Sequence, residues 1–326
     1  RTPPPAGGRL GGLRAARRGA VMIAPAPPLR VFAPAKINWG LTIRGRRSDG
    51  YHDLDTIFQA LDWGDELLCR PLAKAECRIH CDAPGIPLGG DNLIARAWSL
   101  LHEAFPDRVG GLEVRLIKRI PAGGGLGGGS SDAAAALVAV DRLNKLRLGL
   151  DALVGYAAQL GSDCAFFIRG GTALGAGRGE RLRPIANRLP PLWLVLVWPG
   201  FGSSTAEAYR RVSPEIFEDE ARMTKIVQAI ESGELSRMQK LVCNCFSSLV
   251  MPLDLRYKEL QDHIIRERLL GPMLCGSGSS MFAFADDPVH ARKAAQKLRQ
   301  WFPLSKAVRM RRTGVRVRKD RRADSS

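Results

Sequence analysis

Short apolar segments separated by polar turns begin the folded part of the chain. They cover residues 29–33, 37–43, 54–60 and 66–70, and the polar residues 46–50 favour a hairpin loop between the second and third. Apolar side chains at this spacing predict β-strands, so the chain is expected to begin with a β-rich region.

Helical spacing first occurs after Asp91, which is the expected N-cap of a helix running to about Phe105. Residues 112–118 then alternate like a strand, and a glycine-rich segment follows. Residues 133–143 carry the strongest helical pattern in the chain. The predicted order at this point is therefore strand, glycine loop, helix.

A change in composition between residues 175 and 190 predicts a domain boundary. Before it, the pattern predicts a helix over 151–160, a strand over 165–168 and a glycine-rich turn over 170–179. After it, the predicted elements are a strand at 192–197, helices at 206–211, 221–232 and 255–269, a glycine- and serine-rich loop at 271–280, a strand at 281–284 and a helix at 288–301. We therefore expect an α+β protein with domains at 29–178 and 179–305.

The net charge of +17 is concentrated at the two ends of the 326-residue chain. Residues 1–30 hold six Arg and no acid, and residues 306–326 hold nine Lys or Arg against two Asp, which leaves about +4 for the rest. We interpret residues 1–28 as a disordered basic extension and 306–326 as a basic tail. A basic nucleic-acid-binding module thereby loses its main support, although it remains the alternative from another class.

The beginning of the chain has two interpretations. Its lack of acids is similar to an organelle transit peptide, but it contains no Ser, and a translated upstream region before Met22 is equally compatible. Seven Cys without a CxxC pair indicate a reducing compartment. We therefore expect a cytoplasmic protein, or an organelle stroma if the extension is a transit peptide.

Two other possible roles are weakly supported. Cys77, His80 and Cys81 offer three metal ligands, but no fourth lies nearby and the spacing fits no common zinc pattern, so ordinary strand residues are favoured. The longest apolar run, residues 192–198, is too short to cross a bilayer and suits a buried strand. No membrane and no nucleic-acid partner are expected.

The segment from Pro121 to Asp132 has the features of a phosphate-binding loop. Six glycines occupy residues 123–129, so backbone N–H groups can surround an anion, and the following helix adds its positive dipole end. The candidate phosphate-binding residues are Pro121, Gly123, Gly124, Gly125, Leu126, Gly127, Gly128, Gly129, Ser130 and Ser131. The two serines are also candidate magnesium ligands, and Asp132 is expected to cap the helix.

Better-known phosphate-binding motifs do not fit this segment. No Lys-Ser or Lys-Thr follows the glycines, as a P-loop requires, and the protein-kinase signatures are missing. Gly123, Gly125 and Gly128 match GxGxxG, but the next acid, Asp141, comes too early for a dinucleotide site and lies in the predicted helix. A dehydrogenase is therefore the weaker alternative.

Three motifs in order carry a specific resemblance. The segments Pro34–Asn38 (PAKIN), PAGGGLGGGSSDAA and residues 276–280 (GSGSS) resemble the superfamily of galactokinase, homoserine kinase, mevalonate kinase and phosphomevalonate kinase, over about residues 29–305. The resemblance implies ATP with Mg²⁺, a ribosomal-protein-S5-like N-terminal domain, a ferredoxin-like C-terminal domain, and an active site in the cleft between them. Cys275 replaces the more usual Ser before the third motif.

The resemblance also implies catalytic residues. Residues 161–167 (GSDCAFF) match the superfamily segment that holds the catalytic Asp, which makes Asp163 the candidate, although Cys164 and Ala165 replace the commoner Val-Pro. Asp163 would accept or orient the proton of the substrate hydroxyl, and Lys36 would counter the developing negative charge.

The segment at residues 49–54 (DGYHDL) is similar to one branch of the superfamily, which acts in the non-mevalonate isoprenoid pathway. That likeness implies phosphorylation of the 2-hydroxyl of a methylerythritol that carries a cytidine diphosphate group. Tyr51, His52 and Tyr209 would hold the base, and Asn38 and Thr205 would add polar contacts. A homoserine or mevalonate type of kinase is the alternative, and a monomer or weak homodimer is expected.

Overall fold

The computed structural model describes residues 28–217 and 221–318. Within them the strands are β1 (Leu29–Arg46), β2 (His52–Leu72), β3 (Cys77–His80), β4 (Gly111–Ile117), β5 (Thr172–Gly177), β6 (Arg181–Pro184), β7 (Trp193–Trp198), β8 (Cys243–Asn244), β9 (Leu270–Leu274), β10 (Met281–Ala285), β11 (Leu304–Arg309) and β12 (Arg316–Arg318). The helices are α1 (Leu93–Ala104), α2 (Gly128–Leu143), α3 (Leu150–Leu160), α4 (Cys164–Arg169), α5 (Thr205–Arg210), α6 (Ala221–Ser232), α7 (Leu235–Leu241), α8 (Phe246–Val250), α9 (Leu255–Arg266) and α10 (Pro288–Leu298).

The first sheet is built on one long antiparallel hairpin, β1 and β2. Its strand order is β12-β1-β2-β4-β3, with β5 on β2, β6 on β5, and β8 parallel to β1. The four short strands predicted at the start of the chain are thus two continuous ones. The pairing of β1 with β2 shifts register, for example between Pro34 and Lys36, and both strands continue through these bulges. The breaks in the apolar pattern therefore do not end a strand.

The second sheet confirms the ferredoxin-like expectation for the second domain. Its order is β11-β7-β10-β9, and all its pairs are antiparallel. Helices α5–α9 connect β7 to β9, and α10 connects β10 to β11. This is the β-α-β-β-α-β arrangement, and together with the first sheet it confirms the α+β class.

Strand β1 lies where the two sheets meet. Residues 31–43 are all buried, so this strand is covered on both faces. Trp39 stacks on Phe284 of β10 with ring centroids 5.6 Å apart and meets the edge of Phe282 at 5.5 Å. The apolar contact between the sheets therefore brings residues of β1 next to residues of the second domain.

Five local predictions are wrong. The turn predicted at 170–179 and the loop predicted at 271–280 contain strands β5 and β9, because each glycine-containing segment pairs with a neighbouring strand. Residues 165–168 lie in helix α4 rather than in a strand, because a short helix that is buried on every side has no polar positions to reveal its period. Helix α2 begins at Gly128, five residues before the predicted start. Asn92, not Asp91, caps α1, and its side chain accepts the Ile94 N–H at 2.8 Å.

The predicted domain limits also need correction at both junctions. Strand β6 pairs with β5, so the first sheet continues beyond residue 178. Residues 306–309 belong to β11, and β12 returns to pair with β1, so residues 306–318 are not a solvated tail. The charges misled because β11 is an edge strand with Lys306 and Arg309 exposed while Val308 is buried. Residues 1–27 and 319–326 lie outside the described residues.

Among the described residues, no helix has the length and apolar character needed to cross a bilayer.

Ending the chain at Ser305 is expected to destabilise it strongly. This truncation removes most of β11, including Val308 from the core, and all of β12, so the free energy of unfolding should fall by about 3 kcal/mol or more. Denaturant unfolding measures the loss. A chain ending at Arg318 is the matched control and should unfold like the full chain; equal stability of both truncations would contradict the strand assignment.

Candidate active site

The glycine loop turns directly into helix α2. Gly127 is the N-cap, in a left-handed conformation with φ 72°, and no side chain caps the first turn. The first N–H groups of α2 are therefore available to an anion, and the helix dipole favours one there. The expectation that Asp132 caps this helix is wrong: Asp132 is buried one turn further along and has another partner.

Backbone hydrogen bonds fix the loop from two sides. The N–H of Lys36 donates to the carbonyl of Leu126 at 3.1 Å, which ties the loop to β1. The carbonyl of Gly123 accepts the N–H of Ser203 at 2.9 Å, and the carbonyl of Gly124 accepts that of Ser280 at 3.2 Å. The third sequence motif, at residues 276–280, therefore lies directly against the glycine loop.

Two of the glycines are required by space. Gly125 has φ +74°, and a Cβ there would overlap the carbonyl oxygen of Cys275. A Cβ on Gly127 would lie 2.6 Å from Cζ of Phe167 in α4. The loop is thus packed against the rest of the site as bare backbone, and it is not a flexible linker.

The two predicted catalytic residues meet in the cleft. Lys36 Nζ lies 3.5 Å from Asp163 Oδ2, and the ammonium also donates to Asn38 Oδ1 at 3.0 Å. Asp163 stands at the beginning of α4, its carboxylate does not cap that helix, and its side chain keeps 27% of its surface exposed. A buried cation beside an accessible carboxylate is the arrangement that proton acceptance with charge stabilisation requires.

Asn38 is committed to protein groups. Its side chain is buried, its Nδ2 donates to Thr56 Oγ1 at 2.7 Å, and its Oδ1 also accepts the N–H of Gly276 at 3.2 Å. It therefore holds Lys36 and the third motif in place. Contact between Asn38 and a substrate stays a prediction.

The cleft has two connected parts. A cavity of about 530 Å³ is lined by the glycine loop, Lys36 and Asp163. A second cavity of about 830 Å³ is lined by Tyr51, His52 and Arg46, among others. Because Thr205, Tyr209 and Arg178 line both cavities, the cleft leads from the phosphate loop to the aromatic residues.

The three predicted base-binding residues line the second cavity without forming an open slot between rings. Tyr209 stacks on His52 with centroids 5.4 Å apart, and it also meets the edge of Phe246 at 5.0 Å. Tyr51 is 56% exposed, and the guanidinium of Arg178 lies 5.1 Å from its ring centroid. Burial, together with the charge of Arg46, lowers the pKa of His52, which favours the neutral imidazole with one donor and one acceptor.

Thr205 lies at the start of α5 and is exposed. Its hydroxyl shares a hydrogen bond of 2.9 Å with the hydroxyl of Ser277, so it joins α5 to the third motif. Arg178 was not predicted, since a lone Arg in a glycine-rich turn carries no sequence signal of its own.

Sequence reasoning also missed a buried ionic group beneath the loop. Lys118 Nζ donates to Asp65 Oδ2 at 2.6 Å and to Asp132 Oδ2 at 2.7 Å. A Cβ on Gly128 would lie 2.9 Å from this ammonium, so the group sits beside the first turn of α2. One indication of this group was present in the sequence: Lys118 lies at the end of a strand, just before the glycine segment, where its ammonium can reach the phosphate loop.

Burial and neighbouring charges act against each other in this group. Burial raises the pKa of Asp132, and the negative charge of Asp65 adds to the effect while Lys118 opposes it. Burial would lower the pKa of Lys118, but Asp132 and Asp65 outweigh it and the pKa is raised. Lys118 is therefore a fixed positive charge at the edge of the phosphate cavity.

Oxygen atoms suited to Mg²⁺ lie at the same place. Ser131 Oγ and Asp132 Oδ1 are buried and have no hydrogen-bond partner within the described residues. Among those residues no group of three or more His, Cys, Asp or Glu side chains is arranged to hold a metal ion. One or two oxygen ligands from the protein, completed by phosphate oxygens and water, are what Mg²⁺ with a nucleotide uses.

The fold and the site together define a class. The family model described as "GHMP kinases N terminal domain" matches residues 92–171, which include the glycine loop and Asp163. GHMP kinases use ATP, and the phosphate-binding loop described above suits that donor.

Relatives define the class more narrowly. The chain is 38% identical over 272 residues to 4-diphosphocytidyl-2-C-methyl-D-erythritol kinase of Pelotomaculum thermopropionicum, covering 83% of this chain and 94% of the relative. It is 40% identical over 270 residues to the enzyme of the same name from Thermus thermophilus, covering 83% and 92%. A crystal structure of 4-(cytidine 5'-diphospho)-2C-methyl-D-erythritol kinase matches with a TM-score of 0.73 at 38% identity, covering 86% of this chain and 99% of that one. The chain therefore belongs to the 4-diphosphocytidyl-2-C-methyl-D-erythritol kinase family, which confirms the predicted superfamily and branch.

Gly125→Ala is expected to destabilise the loop even without nucleotide. The added methyl group would overlap the carbonyl of Cys275, and an Ala at positive φ is strained, so the free energy of unfolding should fall by about 2 kcal/mol. Denaturant unfolding of the nucleotide-free protein measures it. Gly129→Ala is the matched control, because the nearest atom to its Cβ is Leu93 Cδ1 at 3.8 Å. Equal stabilities would show that the loop can move away from residue 275.

Proposed function

We propose that this chain transfers the γ-phosphoryl group of ATP to the 2-hydroxyl of 4-diphosphocytidyl-2-C-methyl-D-erythritol. The observation that carries the proposal is that the Lys36–Asp163 pair, 3.5 Å apart, lines the same cavity as the phosphate loop, and that this cavity leads to the aromatic one. A hydroxyl placed there faces a carboxylate on one side and the bound phosphates on the other.

Each part of the site has a defined role in the transfer. The N–H groups of residues 123–129 and of the first turn of α2 hold the phosphates, with Lys118 as a fixed charge beside them. Asp163 accepts or orients the proton of the attacking hydroxyl. Lys36 stabilises the negative charge that develops on the attacking oxygen, and positioning supplies most of the remaining rate enhancement.

The second cavity would hold the cytidine end of the substrate. Tyr51, His52 and Tyr209 offer aromatic surface, and a neutral His52 can both donate to and accept from the edge of the base. Because Tyr209 stacks on His52, the base would insert against Tyr51 or displace one of these contacts. Arg178 is available to the diphosphate, since it lines both cavities.

Mg²⁺ would be held by Ser131, Asp132 or Ser130 together with the nucleotide phosphates. When bound, the ion would neutralise phosphate charge at this end of the loop. Asp132 is held by Lys118 through one oxygen, which leaves its second oxygen for a ligand.

The remaining expectations about partners and place stand as proposals. The substrate is a small molecule, and we propose a monomer or weak homodimer acting in the cytoplasm, or in an organelle stroma, without nucleic acid. The near-neutral net charge of residues 31–305 supports the absence of a nucleic-acid partner, and the cysteine usage supports a reducing compartment.

Replacing Asp163 by Asn is expected to abolish turnover selectively. The amide keeps the shape but cannot take the proton, so kcat should fall by about 10³-fold, while binding of a non-hydrolysable ATP analogue stays within about threefold. A coupled ADP-release assay and calorimetric titration measure the two effects. Asp107→Asn, an exposed change, is the control. A kcat within about tenfold of the unmodified enzyme would remove Asp163 from its proposed role.

Acceptor choice tests the substrate directly. The ADP-release assay is run with 4-diphosphocytidyl-2-C-methyl-D-erythritol, homoserine and mevalonate at equal concentrations. Turnover is expected with the cytidine-bearing acceptor, and Tyr209→Ala should raise its KM about tenfold or more through lost stacking. Turnover with homoserine or mevalonate alone would sink the substrate assignment while leaving the kinase class intact.

A further inference from the structure

Residues 310–318 cross from the second sheet back to the first, and we name them the C-terminal strap. The strap follows β11 and ends in β12, where Arg316, Val317 and Arg318 pair with residues 30–32 of β1. Between these anchors it passes the end of helix α4, the short helix that Asp163 immediately precedes.

The strap completes the hydrogen bonding of α4. A helix of six residues leaves its last carbonyls without partners inside the helix. The N–H of Val315 donates to the carbonyl of Phe167 at 2.8 Å, and the N–H of Gly314 donates to that of Arg169 at 3.2 Å. Phe167 is buried, so losing this partner would leave a buried carbonyl unsatisfied, which destabilises the end of α4.

The backbone of the strap is in direct contact with the backbone at the end of α4. A Cβ on Gly314 would overlap the carbonyl oxygen of Phe167, and a Cβ on Gly170 would overlap the backbone nitrogen of Gly314. Gly170 also has a positive φ, whereas Gly314 does not, so at Gly314 space alone demands glycine. Any side chain at position 314 would therefore push the backbone of the strap away from the carbonyl of Phe167.

The other end of the same strap holds the strand that faces Lys36. The N–H of Arg311 donates to the carbonyl of Ala60 at 2.8 Å, and Gln59 Nε2 donates to the carbonyl of Arg311 at 3.1 Å. Ala60 is the residue of β2 that pairs with Lys36. The strap is therefore bonded both to the helix that carries Asp163 and to the neighbour of Lys36.

We propose that the C-terminal strap is a positioning element of the catalytic site, which fixes Asp163 relative to Lys36 by holding the end of α4 against the β1–β2 hairpin. The inference rests on the proposed kinase function. Residues 164–168 are buried on all sides, so a shift at the end of α4 is transmitted along the helix to Asp163. A displacement of about 1 Å at a reacting group can cost about 10²-fold in rate. The glycine loop also touches Phe167 at Gly127, but its backbone is anchored to β1 and the third motif, so we expect the strap to affect nucleotide binding less than the rate.

The test is Gly314→Ala in the full chain. We expect kcat to fall about 10- to 100-fold, with KM for ATP and for the acceptor within about threefold of the unmodified enzyme. Gly149→Ala is the matched control, because nothing lies within 4 Å of its Cβ, and it should change neither constant. Amide hydrogen exchange should show faster exchange over residues 164–170 in Gly314→Ala only.

A second variant removes the strap without adding a clash. A chain ending at Arg309 keeps β11 and loses residues 310–326, and we expect the same selective fall in kcat, whereas a chain ending at Arg318 should retain full kcat. Unchanged kcat in both Gly314→Ala and the chain ending at Arg309 overturns the proposal, as does a fall in kcat accompanied by equal loss of ATP binding. If the unmodified chain phosphorylates none of the acceptors, the proposed function fails, and hydrogen exchange over α4 still decides whether the strap holds it.

Discussion

The burial of one ammonium group organises this protein. Lys36 lies in a strand that is covered on both faces, and a charge there is tolerated only with partners. Asp163 and Asn38 provide them, at 3.5 Å and 3.0 Å. Because the partners come from α4 and from β1 itself, satisfying the charge also determines where the start of α4 must lie. The Lys36–Asp163 ion pair is thus a condition of the fold as well as a part of the candidate site.

The second domain depends on the same strand. The side-chain oxygen of Asn38 accepts both the N–H of Gly276 and the ammonium of Lys36. The third motif is therefore connected to the Lys36 ammonium through one amide. Asn244 strengthens this connection, because its Nδ2 donates to the carbonyls of Leu274 and Gly276 at 2.9 and 2.7 Å. Apolar packing of Trp39 on Phe284 brings the sheets together, and these polar contacts set how they align.

The basic residues near the end of the chain show how charge counting can mislead. Arg318 forms an ion pair with Glu66 at 2.9 Å, and Arg311 and Arg318 lie over the ring of Phe32 at 5.0 and 4.8 Å. These side chains bind Glu66 and Phe32 of the first sheet, so part of the apparent excess charge has a structural use. A net charge counts basic residues without regard to their place in the fold. Within the described residues 309–318, the place of each arginine determines which groups it contacts.

The sequence by itself determined the features whose causes are local, namely the glycine loop followed by a helix and the hairpin at residues 46–50. The likeness to a family added Lys36 and Asp163 as a candidate pair. Only the tertiary structure decided that residues 165–168 are helical, that Asp132 joins Lys118 instead of capping α2, and that residues 306–318 belong to the sheets. The physical reason is the same in each case. Local backbone preferences and periodicity depend on a few neighbouring residues. The partner that satisfies a buried charge or carbonyl comes instead from a distant part of the chain.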